Sequence, residues 1–350
     1  MIFLPVSEES LRKAAAIITC GGLAAFPTET VYGLGADAFN PVALAKIFAA
    51  KGRPRFDPLI IHIASMQTLD KIADLSLLGR AGRKKLAVLA ETLWPGPLTL
   101  ILPRQKAVPD LATSGLATVA VRFPAHPAAQ SLIALSGGAL AAPSANPFGY
   151  LSPTRAGHVR EQLGNAVDII LDGGPAELGV ESTVLDISGG QARILRPGGV
   201  PREKIEALIG KLDSGGADAA VIDGPEKKPK APAAMPAPGM LKSHYAPRTR
   251  LKVFSREEII SVPDINDGEK SSAFLFFDGS TRDAWLLGKS CVHAKIKTLC
   301  EDGNFTEAAA NLFQYLHELD SPGIICISAQ LAPEEGLGEA INDRLRRAAG

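Results

Sequence analysis

The chain is poor in cysteine and aromatic residues and carries no excess charge of either sign. Its four cysteines, Cys20, Cys291, Cys300 and Cys326, are too few and too dispersed for a disulfide framework, and none forms a C-x-x-C pair. Zinc and redox chemistry are therefore not indicated, no metal site is expected, and the thiols read as small core residues. Aromatics make up 5% of the 350 residues while Ala, Leu, Ile, Val and Gly are abundant, which favours α/β packing over a β sandwich. With 37 Lys+Arg against 37 Asp+Glu, whole-protein attraction to nucleic acid or an anionic membrane is not indicated, and any anion site must be local. No run approaches about 18 uninterrupted apolar residues, and the N-terminus lacks a basic segment followed by a long apolar stretch, so a cytoplasmic protein is the plain reading. Familiar site signatures are missing too: there is no G-x-x-x-x-G-K-[ST], no G-x-S-x-G, no H-E-x-x-H, and Gly33-Leu34-Gly35 does not continue into G-x-G-x-x-G.

What is present is a series of polar motifs, each at the end of an apolar run. They are Pro27-Thr28-Glu29-Thr30-Val31-Tyr32-Gly33-Leu34-Gly35, Lys51-Gly52-Arg53-Pro54, Pro58-Leu59-Ile60-Ile61-His62, Val119-Ala120-Val121-Arg122-Phe123-Pro124, Ala142-Pro143-Ser144-Ala145-Asn146, Glu181-Ser182-Thr183 and Leu195-Arg196-Pro197-Gly198-Gly199. Buried strands explain the runs but not the hydroxyls, guanidinium groups and imidazole at their ends. In open α/β sheets the strand ends bind ligands, and this mixture of Arg, Lys, Ser and Thr suits phosphates together with a carboxylate.

Helices are expected over 7–20, capped by Ser7 and ended by Gly21-Gly22, and over 42–50, 79–92, 127–135 and 153–163. Strands are expected over 23–27, 59–63, 98–102, 118–123, 139–142, 169–171, 183–187 and 192–195. The last three strands follow with short turns, which predicts a mixed sheet. Residues 214–238 are rich in Pro, Ala, Gly and Lys and read as a linker. A second α/β unit follows, with strands over 251–254, 273–277 and 324–327 and helices over 306–319 and 337–349. The division is 1–212, linker 213–249, and 250–350.

Each motif admits two readings. Lys51-Gly52-Arg53-Pro54-Arg55 places three cations within five residues, which suits a triphosphate or the C-terminus of a helix whose dipole they offset. Arg122 lies within an apolar strand on a face with Ala120 and needs an anion, either a protein carboxylate or that of a ligand; the same holds for Arg196. His62 reads as a buried histidine or a ligand contact. Ser144 and Asn146 offer donors to a phosphate or a base, and Ser152 before Pro153 reads as an N-cap at a helix start that also favours an anion.

Together, in order and spacing, these motifs resemble the YrdC-like threonylcarbamoyl-AMP synthase family in its two-domain form. The resemblance covers Pro27 to Gly199, resumes at His244-Tyr245-Ala246-Pro247, and returns in Gly336-Leu337-Gly338-Glu339-Ala340-Ile341-Asn342-Asp343-Arg344-Leu345. It implies a twisted mixed sheet with a large concave cavity joined to a smaller Rossmann-like domain. The implied enzyme is a nucleotidyltransferase that makes threonylcarbamoyl-AMP and pyrophosphate from L-threonine, bicarbonate and ATP with Mg2+. A downstream tRNA threonylcarbamoyl transferase would consume the product, with weak RNA contact and no membrane partner. By the same resemblance Thr30, His62, Arg122, Ala142 and Ser182 surround threonine. Lys51, Arg53, Asp57, Thr118, Ser144, Asn146, Ser152, Arg196, His244 and Tyr245 serve the nucleotide, with Lys51 and Arg53 stabilising the expelled pyrophosphate. Position 57 departs from the family pattern, holding Asp where Asn is usual, and the linker is long. The competing readings are a carbamoyl-transfer enzyme built on a similar domain and an RNA-binding module.

Overall fold

Alternation along the central strands decides which side chains each face of the sheet receives. In the computed structural model, which describes residues 1–213, 234–237, 239–240, 244–266, 268, 270–287, 289 and 292–350, the first domain is built on ten strands. These are β1 (Ile2–Pro5), β2 (Ala24–Phe26), β3 (Gly33–Asp37), β4 (Ile60–Ile63), β5 (Leu98–Pro103), β6 (Thr118–Arg122), β7 (Ala139–Ala141), β8 (Ile169–Asp172), β9 (Thr183–Asp186) and β10 (Arg193–Arg196). They are interleaved with α1 (Glu8–Thr19), α2 (Pro41–Lys51), α3 (Met66–Ile72), α4 (Arg80–Leu93), α5 (Asp110–Thr113), α6 (Pro127–Leu135), α7 (Ala156–Leu163) and α8 (Arg202–Ile209). The sheet order is β1-β8-β2-β3-β7-β4-β6-β5-β9-β10. It is mixed as expected: β4 and β6 run parallel, as do β5 and β9, whereas β5 and β6 are antiparallel.

On the central strands Leu59, Ile61 and Ile63, Leu98, Leu100 and Leu102, and Val119 and Val121 enter the main core. The alternate residues, Ile60 and His62, Thr99 and Ile101, and Ala120 and Arg122, therefore face the other way. His62 and Arg122 are paired in register, as are Thr99 and Arg122, so the three sit side by side. On that face Ile60, Ile101, Ala120, Val184 and Leu195 form a small cluster with Ala237 and Met240, so the segment after the first domain folds back over the sheet.

Helix boundaries follow local chemistry. Ser7 caps α1, with Ser10 closing a capping box; Asn40 caps α2 ahead of Pro41, and Gly52 ends α2 at φ +60. Two expectations need correction. The helix expected from Pro153 begins at Ala156, because the backbone over Ser152–Arg155 is used otherwise: Tyr32 N–H donates to the Pro153 carbonyl at 2.8 Å. The Thr-rich loop runs directly into β3, whose Gly33 and Gly35 mask it as a strand. A Cβ on Gly35 would lie 2.8 Å from Phe26 Cε1, so this packing leaves room for glycine alone.

The second domain has an all-parallel sheet, β11-β14-β12-β13, built from β11 (Arg250–Phe254), β12 (Ser271–Asp278), β13 (Lys295–Cys300) and β14 (Ile324–Gln330). Its helices are α9 (Arg256–Ile260), α10 (Gly279–Leu286), α11 (Phe305–Leu319) and α12 (Gly338–Ala349). Strand β13 is absent from the sequence reading because its first four residues are not buried and carry no apolar run. Of the cysteines, Cys300 is buried, Cys326 is half-buried and Cys20 is exposed at the end of α1, so the core role expected of all four fails for Cys20. Cys291 and most of the Pro/Ala/Lys stretch of the expected linker lie outside the described residues. No helix among the described residues is long and apolar enough to cross a membrane.

The two domains share one core. Val31, Leu151 and Val180 of the first join Tyr245 and the apolar face of the second, including Phe313, Ile341 and Leu345. At Gly179, with φ +68, a Cβ would lie 2.4 Å from the Ala309 carbonyl of α11. Gly179→Ala should therefore destabilise the protein by about 1–3 kcal/mol through overpacking, with backbone strain adding to it. Thermal or urea denaturation checks this; an unchanged midpoint would contradict so close an approach of α11.

Candidate functional site

The face bearing His62 and Arg122 floors a hollow of about 560 Å³, counting the part open to solvent. Its walls come from segments far apart in sequence. The β2–β3 loop gives Thr28, Thr30, Val31 and Tyr32, and the turn after α2 gives Arg53. Ala142, Pro143 and Ser144 follow β7, Glu181 and Ser182 precede β9, and Arg196 ends β10. Gly239, His244 and Tyr245 close one side from the linker.

The β2–β3 loop is held by a hydroxyl turn. Thr28 Oγ1 donates to the Val31 carbonyl at 2.6 Å and lies 2.8 Å from Thr30 Oγ1. Tyr32 donates its hydroxyl to the Gly174 carbonyl at 2.7 Å, and burial pushes its pKa up to about 12, so it stays a phenol. Ser182 sits beside Thr99, with their hydroxyls 2.7 Å apart, and Arg196 Nη2 donates to the Ser182 carbonyl at 2.8 Å. The close turn after Arg196 requires glycine: a Cβ on Gly198 would lie 2.4 Å from backbone atoms of Glu181, Ser182 and Thr183.

Each buried cation has a fixed counterpart. Arg122, whose anion the sequence left open between protein and ligand, pairs with Glu29 at 2.8 Å. Burial, the largest single influence, would raise the Glu29 carboxyl, but the Arg122 guanidinium together with backbone hydrogen bonds holds it below the usual range. Arg53 pairs with Asp57 at 2.9 Å and donates to the Pro58 carbonyl at 2.7 Å. Asp57, fully buried, is thus the counter-ion behind Arg53 and does not line the hollow; burial raises its pKa despite Arg53. Lys51 turns away from the hollow and donates to the carbonyls of Ser144 and Asn146, the former at 2.6 Å. Burial, then Arg53, lowers its pKa well below the ordinary lysine value. Arg55, the third cation of that motif, is exposed.

Neutral imidazoles complete the lining. Burial, reinforced by Arg122, holds His62 at a pKa of about 3; burial and Arg53 do the same for His244. His244 sits edge-on to Phe148 and Tyr245, at 5.3 and 4.1 Å between ring centres, and its Nδ1 has no hydrogen-bond partner among the described residues.

Comparison with known proteins decides the family. A family model described as Telomere recombination matches residues 16–198, and one described as Threonylcarbamoyl-AMP synthase, C-terminal domain matches residues 200–350. A threonylcarbamoyl-AMP synthase of Pyrococcus abyssi (strain GE5 / Orsay) is 40% identical over 348 residues, covering 99% of this chain and 95% of that protein. The chain belongs to the threonylcarbamoyl-AMP synthase family. Another member, from Bacillus subtilis (strain 168), is 39% identical over 353 residues, with 99% and 95% coverage. The crystal structure of P. abyssi Sua5 complexed with L-threonine superposes with a TM-score of 0.84 at 39% identity, covering 100% of this chain and 98% of that one.

Of the family residues expected from the sequence, Thr30, Arg53, His62, Arg122, Ala142, Ser144, Ser182, Arg196, His244 and Tyr245 meet in the one hollow. Lys51, Asp57 and Asn146 stand behind its wall: Asn146 Nδ2 donates to the Tyr150 carbonyl at 2.7 Å and shapes the loop that follows. Ser152, expected as an N-cap, instead donates its hydroxyl to Glu181 Oε1 at 2.5 Å. Thr118 does not line the hollow; it starts β6, four residues before Arg122 on the same face, with Ala120 between. Glu29, Thr99 and Glu181 were missed as site residues. Glu29 and Glu181 lie inside quoted motifs, and an acid beside several buried cations was the available signal; Thr99 carried none.

The titratable groups set an acid limit. The folded values near 3 for His62, His158 and His244 lie below the ordinary 6.5, so at intermediate pH the unfolded chain binds protons that the folded chain refuses. Stability must therefore fall as pH drops through that window, and the depressed carboxyls of Glu29 and Glu181 add a loss of the same sign below their ordinary 4.5. Denaturation midpoints should drop steadily between pH 7 and pH 4; a flat profile would contradict these environments.

Proposed function

We infer that this chain is an L-threonylcarbamoyl-AMP synthase. The observation that carries the inference is the convergence of Arg53, Arg122, Arg196, Ser144 and Ser182 on one hollow, in a chain that superposes over its full length on a relative holding L-threonine. The reaction condenses bicarbonate with the threonine amine to a carbamate, with loss of water. A carbamate oxygen then attacks the α-phosphorus of ATP, the bond to the β-phosphate breaks, and pyrophosphate leaves.

Arg122 anchors the threonine carboxylate while keeping Glu29 on another face of its fork, since a guanidinium offers five donors. Neutral His62 beside it adds no competing charge, and Thr30, Ala142 and Ser182 shape the amino-acid end. Arg53 and Arg196 screen the approach of two anions and stabilise the departing pyrophosphate. Ser144, His244 and Tyr245 meet the nucleotide, and Lys51 and Asn146 hold the Ser144 loop for it. Among the described residues, neither His62, His244 nor Glu181 in the lining is poised near neutral pH as a base, so positioning carries the rate; well-oriented reactants can gain about 7–11 kcal/mol.

Mg2+ suits this site as part of the substrate. Among the described residues no group of three or more His, Cys, Asp or Glu can hold a metal, and Glu181, the carboxylate in the lining, is engaged by Arg344. Mg2+ would come with ATP and would neutralise phosphate charge beside Arg53 and Arg196. The product is a reactive mixed anhydride and must pass to a transferase that places the threonylcarbamoyl group on tRNA, which puts the reaction in the cytoplasm.

Incubation with ATP, threonine and bicarbonate should release pyrophosphate and give the adenylate by mass spectrometry; turnover that ignores threonine would refute the reading. Arg122→Ala should raise the threonine KM by about tenfold or more, as expected when a charged hydrogen bond of roughly 1.5–3 kcal/mol is lost. The ATP KM should change far less, and equal shifts in both would refute the assignment of Arg122.

A further inference from the structure

Arg344 lies on α12 of the second domain and is wholly buried, yet its fork leaves that domain. Nη1 stays at home on Asp343 at 2.5 Å. Nε donates to Glu181 Oε2 at 2.7 Å, and Nη2 donates to the Pro197 carbonyl at 3.0 Å. The guanidinium also lies over the Tyr245 ring, 5.0 Å from its centre. All three outside partners border the hollow: Glu181 and Tyr245 line it, and Pro197 follows Arg196. The second oxygen of Glu181 accepts the Ser152 hydroxyl, so one carboxylate ties α12 to the loop ahead of α7.

Glu181 is a buried carboxylate in a pocket built for a polyphosphate. Left uncompensated it would repel that substrate and be costly to keep ionised. We propose that Arg344 is a positioning residue for the nucleotide: by neutralising Glu181 and holding Ser152 and Tyr245 around it, the second domain completes the catalytic hollow of the first. This rests on the synthase reading above. Arg344 touches no substrate; it acts through Glu181 and Tyr245.

The test compares Arg344→Gln, Glu181→Gln and the double variant in the full chain, by pyrophosphate release with ATP and threonine varied in turn. Arg344→Gln should raise the ATP KM by about tenfold or more while moving the threonine KM by no more than about twofold, because a buried charge has lost its partner. The double variant, which removes both charges, should recover most of the ATP KM; a purely structural clamp predicts no such recovery. Equal rises in both KM values, or a double variant as impaired as Arg344→Gln, would overturn the proposal. Should Arg344→Gln lose its fold, the double variant against wild type decides: a near-wild-type ATP KM supports the proposal, and KM values raised together overturn it. Absence of turnover in the wild-type protein would instead refute the synthase reading. Equilibrium titration of wild type and Arg344→Gln with a fluorescent ATP analogue would then still decide whether Arg344 governs nucleotide binding, weaker binding supporting it and equal binding overturning it.

Discussion

A buried cation persists only where an anion or a set of carbonyls is fixed beside it, and the hollow of this protein is organised by that requirement. Arg122 has Glu29, Arg53 has Asp57, Lys51 has the carbonyls of Ser144 and Asn146, and Arg344 has Glu181. Except for the local Arg53–Asp57 pair, each pairing joins segments far apart in sequence, so the same contacts that make the charges tolerable also hold the lining in register. Arg53 and Arg122 therefore line the hollow already oriented. Little reorganisation is left for the moment at which two anions must be brought together.

The sheet supplies the floor and the remainder of the chain supplies the walls. Strands β4 and β6 run parallel and in register, which sets His62 beside Arg122. The linker then folds Ala237 and Met240 onto the apolar part of the same face, and Gly239, His244 and Tyr245 onto the polar part. Tyr245 takes a left-handed backbone, φ 63, to do so, and packs at once against Phe313 of α11 and Arg344 of α12. The closing segment is thus clamped between the two domains, and the second domain belongs to the site's construction as well as to the shared core.

The mixed sheet was legible because apolar runs are local and their spacing left no room for helices between the last strands. Arg122 was legible on the face of Ala120 because alternation has period 2. Strand β3 was not, because its glycines carry no strand preference, and their reason is Phe26 on the neighbouring strand. Ser152 misled for a related reason: Ser before Pro resembles a cap, but an acid 29 residues away claims the hydroxyl. Ten of the expected site residues met in one place, since their motifs lie at strand ends. Lys51, Asp57 and Asn146 fell just behind them, because a one-residue motif position does not reveal which way a side chain turns.

The sequence by itself determined most of the strands, the cap of α1, the face that bears Arg122, and the resemblance carried by ordered motifs. Those depend on neighbours within a few residues, where period and backbone preference act. Only the tertiary structure decided which anion each cation meets, that Lys51 serves carbonyls, and that Arg344 reaches Glu181 from 163 residues away. Burial is the physical reason: a charge removed from water must find its partner wherever the folded chain brings one within hydrogen-bonding distance, and separation along the sequence carries no information about that place.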